Sequence, residues 1–451
     1  MEYTDQYYLE EAPVQKAIPH LSIPMMIGMT IGVIYNILNA YFIGLLHNTA
    51  MLSAVTLGLP IFTILMAVGN IFGVGGGTYI SRLLGEKKEE SAKSVSSFIF
   101  YGSLMAGIIV LLLSLIFINP IIYFLGSNAA TFSLTKIYSI SLLLGSPFIV
   151  ANFAMEQVVR SEGASKISMI GMFINTIVNA ILDPILILFF HLNVVGAAIS
   201  MVIANCCSLG YYSWHLHKKS EHLAVSWRSL MMSKAIVSNV FKIGISEFLL
   251  SLLLIVSTLM LNHFSIMYSE DVIAGFGIAL RIVQLPEFLC MGLFMGVIPL
   301  LAYSFGAKNK ERYVKTIRHT FIYIGGLVFV FSSIVFLFRT HILEWFSQSS
   351  NVIEIGTYIL TAMLISTLFN GFTGFFTSIF QAAGKGKQAL IMSLANGILF
   401  VPTIIILHNY FGLHGIIWSM TVTELLTFSI GLVLYIFMDK QMIYLKNEIT
   451  Y

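Results

Sequence analysis

Four carboxylates, Asp183, Glu156, Glu287 and Glu424, stand inside stretches that are otherwise apolar. An ionisable group held in hydrocarbon costs about 2.5–3.5 kcal/mol or more, so chains keep such residues mainly where they act. A carboxylate there can exchange a proton, hold a small cation or draw in a cationic ligand. Asp183 has the most telling surroundings. Asn175, Asn179 and Asp183 are four residues apart, which puts all three on one face of a helix. A polar stripe on a greasy helix points to a wet cavity rather than to lipid. Pro184 follows directly and removes a backbone donor, which favours a bend there. A proton arriving at Asp183 would change both charge and local hydrogen bonding. The plain alternative is a structural aspartate, permanently hydrogen-bonded.

Glu156 has Asn152 one turn before it and Arg160 one turn after it. It is either half of an ordinary ion pair near a helix end or a negative charge for a cationic ligand. Glu287 and Arg281 are six residues apart, about 240° around a helix, so each needs a partner elsewhere. Glu287 suits substrate or ion binding, or a structural ion pair. Glu424 reads as isolated, and Glu247 as too close to a membrane edge to count. The uncharged lining is expected from two clusters. One is Tyr35, Asn36 and Asn39; the other is the helical stripe Ser366, Asn370, Thr373, Thr377 and Gln381. With 22 Met and 35 Phe, a deformable greasy pocket is available, because Met adapts its shape to varied ligands.

These side chains must be positioned by membrane-spanning helices. The chain has 451 residues, 57% hydrophobic and only 10% charged, with a mean hydropathy of +0.89. Average soluble domains carry roughly 25% charge. A span needs about 20 mostly apolar residues. Twelve such stretches begin near Leu21, Leu52, Val95, Thr135, Ser168, Val194, Asn239, Val272, Thr316, Gly356, Gln388 and Leu413. With the N-terminus inside, 21 of the 24 Lys and Arg fall in inside segments, and only Lys136 and Arg339 outside. That asymmetry places both termini in the cytosol and supports an even number of spans. No loop is long enough for an extramembrane domain.

The chain also repeats itself. Leu84-Gly-Glu-Lys returns as Phe305-Gly-Ala-Lys, and Ser161-Glu-Gly-Ala-Ser-Lys166 as Ala382-Ala-Gly-Lys-Gly-Lys387. Gly85 and Gly306, Gly163 and Gly384, and Asn175 and Asn396 are all 221 apart. The expected organisation is therefore all-α: two parallel six-helix lobes, 1–218 and 239–451, joined by a cytosolic linker, 219–238. Transporters with such repeats hold substrate between or within the lobes and rock one lobe against the other. Asp183 has no acidic counterpart, since Phe400-Val-Pro402 stands at the matching place, and Glu156 corresponds to Thr377. The asymmetry assigns ion coupling to the first lobe.

Several classes fit poorly. The N-terminus has no basic n-region or cleavage site, so no signal peptide is expected. Cys206, Cys207 and Cys290 make no disulfide framework, and His215 with His217 are too few for a metal site. There is no Walker A pattern, which leaves ATP unimplied. Gly73-Val-Gly-Gly-Gly77 reads as close helix packing. A membrane enzyme would need clustered His, Asp or Cys at a membrane face. Neither a cofactor nor a nucleic-acid partner is implied, and a monomer is expected.

Four motifs carry a family likeness over essentially the whole length. They are Tyr35-Asn-Ile-Leu-Asn-Ala-Tyr-Phe-Ile-Gly44, the Leu84-Gly-Glu-Lys loop, Arg160-Ser-Glu-Gly163 and Asn179-Ala-Ile-Leu-Asp-Pro184. In order, spacing and recurrence the chain resembles the multidrug and toxin extrusion (MATE) transporters. The resemblance implies a MATE/MOP-type fold in a bacterial plasma membrane. It also implies export of amphipathic, often cationic drugs, dyes and biocides in exchange for H⁺ or Na⁺. Many members of a related branch have an acid in span one, where this chain has Asn39, and Asn cannot lose a proton. The expected ion-coupling set is Asp183, Asn179, Asn175 and Asn39. The expected substrate set is Glu156, Asn152, Tyr35, Asn36, Glu287, Asn370 and Thr377. A flippase for lipid-linked saccharides is the alternative, and it would want a cationic cavity where this chain offers Arg281 alone.

Overall fold

The structure is a computed structural model. It describes residues 4–45 and 48–448, without the side chains of residues 35–41, 43–44 and 439–448. Sixteen α-helices run in chain order among the described residues: α1 Asp5–Glu10, α2 Val14–Gly44, α3 Thr49–Gly85, α4 Glu89–Ile116, α5 Ile118–Phe124, α6 Phe132–Leu144, α7 Ser146–Ser161, α8 Ser165–Asp183, α9 Asn193–Lys218, α10 Lys234–Ile266, α11 Glu270–Gly306, α12 Lys310–Phe346, α13 Ser350–Ala382, α14 Gly386–Ile398, α15 Phe400–Phe411 and α16 Leu413–Glu448. Eleven helical segments are long and apolar enough to cross a membrane, the pair α14 and α15 counting as one. The bent pair α6 and α7 makes a twelfth. The longest helices have 37 residues, about 55 Å, so they extend past a hydrocarbon core of about 30 Å.

The 221-residue offset of the sequence recurs in the backbone. Helices α3 and α11 have the same length and start 221 apart, as do α8 and α14 at their first residues. Lys87 and Lys308, Gly163 and Gly384, and His191 and Gly412 form three pairs at that offset, each residue in the left-handed region. The same tight reversals therefore link the corresponding spans of both halves.

Two differences break the likeness. Span four bends by 56° between α6 and α7, at Gly145-Ser146-Pro147. Its counterpart α13 is one helix, because Ser366 and Leu368 stand where Gly145 and Pro147 would be. Span five changes winding at Pro184, whereas the counterpart breaks earlier, between Ile398 and Phe400. Pro402 is thus not the partner of Pro184. It lies in the first turn of α15, where a missing N–H costs nothing; the offset puts Ile405 at that place.

The end of the bundle that carries most of the basic residues is tightly closed. Helix α3 crosses α10 and α11 of the second half. A Cβ on Gly85 would lie 2.2 Å from the Tyr303 carbonyl oxygen, and one on Gly306 2.1 Å from that of Arg82, so only glycine allows this crossing. Arg82 donates to the carbonyls of Gln381 and Ala382, both at 3.1 Å, capping the end of α13 across the two halves. Arg312 of α12 donates to the carbonyls of Tyr8, Leu9 and Ala12 at 2.6–3.0 Å. Lys87 reaches both Glu10 (2.6 Å) and the Tyr303 hydroxyl (3.2 Å).

Candidate functional site

Asp183 is the last residue of α8 and has no exposed surface. Among the described side chains, the Ser200 hydroxyl of α9 donates to its Oδ1. Pro184 removes one rung of the α-ladder, and residues Pro184–Phe189 continue as a π-helix. Phe190 N donates to Ile185 O, a step of five residues, at 2.9 Å. The expected bend is therefore a change of helical winding that begins at the acid itself. Asn179 Nδ2 donates to Asn175 Oδ1 at 3.1 Å, so the two amides do share a face. Asn179 is almost fully buried, and its own Oδ1 has no hydrogen-bond partner among the described residues.

Asn152 Nδ2 donates to Asn205 Oδ1 of α9 at 2.9 Å, which leaves the buried Asn152 Oδ1 unpartnered among the described residues. Glu156 is buried and paired with Arg160 at 3.4 Å. Arg160 donates in addition to Gln157, and contacts Met25 Sδ at 3.6 Å. Of the two readings of Glu156, the geometry supplies the ion pair, so a cationic ligand would have to compete with Arg160. Tyr35, Asn36 and Asn39 lie outside the residues whose side chains are described.

The second half holds its own acid cluster. Glu424 of α16 is buried, and three neutral donors converge on it: Asn370 Nδ2 (3.0 Å) and Thr373 Oγ1 (2.9 Å) from α13, and Asn396 Nδ2 (3.2 Å) from α14. Glu424 is thus not isolated, and the correction is instructive. Its donors come from residues 28 to 54 positions away, beyond any helical periodicity. Glu287 of α11 lies within electrostatic reach of Glu424. Arg281 is exposed, and among the described residues it forms no ion pair with Glu287. Thr377, expected in the same lining, spends its hydroxyl on the carbonyl of Thr373 in its own helix (3.1 Å). Glu247 accepts from Gln381 at 3.0 Å, next to the Arg82 cap.

Ser200 and Asn205 were not foreseen. Each is one small polar residue in an apolar run, like Ser208, which merely donates to the carbonyl of Gly171. Nothing in sequence separates the three. A recess of about 440 Å³ lies between the N-terminal segment and α12, lined by Glu10, Glu311, Arg312 and His319 among others. It belongs to the basic end, away from the buried acids.

Comparison with known proteins agrees with the fold. The MatE family model matches twice, over residues 24–185 and 243–406. Over 435 residues the chain is 43% identical to the multidrug export protein MepA of Staphylococcus aureus (strain NCTC 8325 / PS 47), covering 96% of each chain. Against MepA of Staphylococcus haemolyticus it is 42% identical over 418 residues, 93% of this chain and 92% of the relative. Among solved structures, an outward-facing MATE family transporter of the MOP superfamily superposes with a TM-score of 0.91 at 23% identity, over 99% of this chain and 100% of the other. A MOP superfamily transporter from Pyrococcus furiosus gives 0.90 at 23% identity, over 99% of each. The chain belongs to the MatE family of membrane transporters.

Proposed function

We propose that this protein is a secondary active exporter of amphipathic, often cationic drugs, with H⁺ entry coupled through Asp183. Its relatives are multidrug export proteins by name. The observation that carries the coupling assignment is a fully buried carboxylate at the exact residue where α-winding gives way to π-winding. Protonation there removes a charge from hydrocarbon and alters the hydrogen bonding of the junction. Turns wound as π-helices are strained and often functional, so a small local change can reset the direction of the rest of span five. Asn175 and Asn179 share the helix of Asp183, and Asn39 completes the proposed ion-coupling set. Asn152, Glu156, Tyr35, Asn36, Glu287, Asn370 and Thr377 are the proposed substrate contacts, with the Glu287–Glu424 region supplying negative charge for a cation.

The lobes 1–218 and 239–451 move against one another about the linker 219–238, with both termini cytosolic. The basic end is then the cytosolic gate, closed in this conformation. One charge crossing 100 mV supplies about 2.3 kcal/mol, enough for roughly a fifty-fold gradient. Na⁺ is a second reading, favoured by the buried Asn179 Oδ1, unpartnered among the described residues and one helical turn from Asp183, since amide and carboxylate oxygens suit a hard cation. A pH jump across sodium-free proteoliposomes separates the two. H⁺ coupling gives full drug transport without sodium. Transport only after sodium is added would overturn it.

A further inference from the structure

The 219–233 stretch between α9 and α10 folds back along α4 instead of hanging free. Ser96 and Ser97 of α4 both donate to the carbonyl of Ala224, at 2.7 and 2.9 Å, and Ser97 Oγ accepts from the Ser226 amide. Leu223 is buried against the bundle. Ser226 then caps a single 3₁₀ turn, Trp227–Ser229. The turn carries Trp227 onto Tyr101 of α4, edge to face, with ring centroids 5.1 Å apart. Tyr101 stands twelve residues beyond the start of α4, about 18 Å along its axis. The segment therefore climbs toward the membrane rather than away from it.

What it shows outward is apolar. Trp227, Met231 and Met232 are 70%, 61% and 76% exposed. The next exposed large side chains on α4 are Met105, Ile108, Ile109, Leu112 and Leu113, which begin one turn beyond Tyr101 and form its lipid-facing band. The linker's apolar knobs continue that band at its rim, where an indole ring sits best with its body in hydrocarbon and its N–H among headgroups. Lys219 and Arg228 of the same segment, and Lys234 at the start of α10, are exposed. No acid lies between Ser226 and Lys234; the segment's one acid, the exposed Glu221, precedes Trp227 by six residues.

From this placement we infer that the linker is a docking surface for anionic phospholipid. Trp227, Met231 and Met232 insert at the headgroup boundary, and Lys219, Arg228 and Lys234 gather negative headgroups around them. The lipid leaflet, not a soluble protein, is the occupant, because the apolar knobs are continuous with a face that must already meet hydrocarbon. Each basic residue near such a surface strengthens attraction by about fivefold.

The test uses the full-length protein in phosphatidylcholine vesicles of symmetric composition. The result then depends neither on which end is cytosolic nor on whether the chain moves drugs. A minor fraction of lipid carries bromines near the headgroup, on phosphatidylglycerol in one arm and on phosphatidylcholine in the other. The readout is the fluorescence of the wild type minus that of Trp227→Phe. The expected result is strong quenching of the Trp227 component, severalfold stronger with brominated phosphatidylglycerol. That preference should fall toward parity in a Lys219→Gln, Arg228→Gln, Lys234→Gln variant. Equal quenching by the two lipids in the wild type overturns the inference, as does a preference unchanged in the triple variant. So does a Trp227 signal quenched by aqueous iodide and untouched by lipid bromine, the outcome expected of a surface for a soluble partner.

Discussion

The two acid clusters of this molecule are built in opposite ways. In the first half, Asp183 ends a helix, beside a proline and an altered winding. In the second half, Glu424 sits inside the long helix α16 and receives three neutral donors from α13 and α14. They are not copies. The 221-residue offset puts Ile404 opposite Asp183 and Ile203 opposite Glu424. One cluster joins charge to a change of helical winding; the other joins charge to three converging side-chain donors. The contrast suggests a division of labour on a duplicated scaffold, with proton-driven switching in one half and fixed negative charge for cargo in the other.

Substitution can break that division. The largest effect is expected from Asp183→Asn, which keeps shape and removes the titrating group: ethidium extrusion from whole cells should vanish while the purified protein unfolds at an unchanged temperature. Normal export by that variant would remove Asp183 from coupling. Next comes Glu424→Gln, for which export should survive with roughly tenfold weaker apparent affinity for cationic drugs, about 1.4 kcal/mol, and little change for neutral ones. If Glu424→Gln abolished transport of every substrate, the two clusters would share one role. Replacing Pro184 with Ala restores a backbone donor; an intermediate loss of turnover with drug affinity retained, measured in proteoliposomes, would tie the winding change to switching. The smallest effect lies outside both clusters. Lys87 holds Glu10 below the usual carboxylate range through their hydrogen bond. Its contribution is present above about pH 4.5 and fades as pH falls through the lowered value. Both side chains are more than a third exposed, so Glu10→Gln should cost roughly a few tenths of a kcal/mol at neutral pH and nothing in strong acid, read by thermal unfolding.

Much of this was legible in sequence because hydrophobic length, charge asymmetry and repetition are all local or periodic signals. The expected span starts fall within about seven residues of the helix starts, and Asn175 and Asn179 meet because a four-residue spacing brings them to one face. What sequence hid were contacts across the fold. Nothing local says that Asn396 belongs to Glu424, that Ser200 meets Asp183, or that Gly145 and Pro147 kink one span while its counterpart runs straight.

The arginines at the basic end have a mechanical consequence. Arg82 and Arg312 tie the halves together by gripping main-chain carbonyls, which have no charge state to lose, and a guanidinium keeps its proton throughout the physiological range. Acidifying or alkalinising the surrounding fluid therefore leaves these two grips in place, whatever it does to Lys87 and Glu247 beside them. What displaces these two grips is therefore movement of the helices against one another rather than the discharge of either arginine.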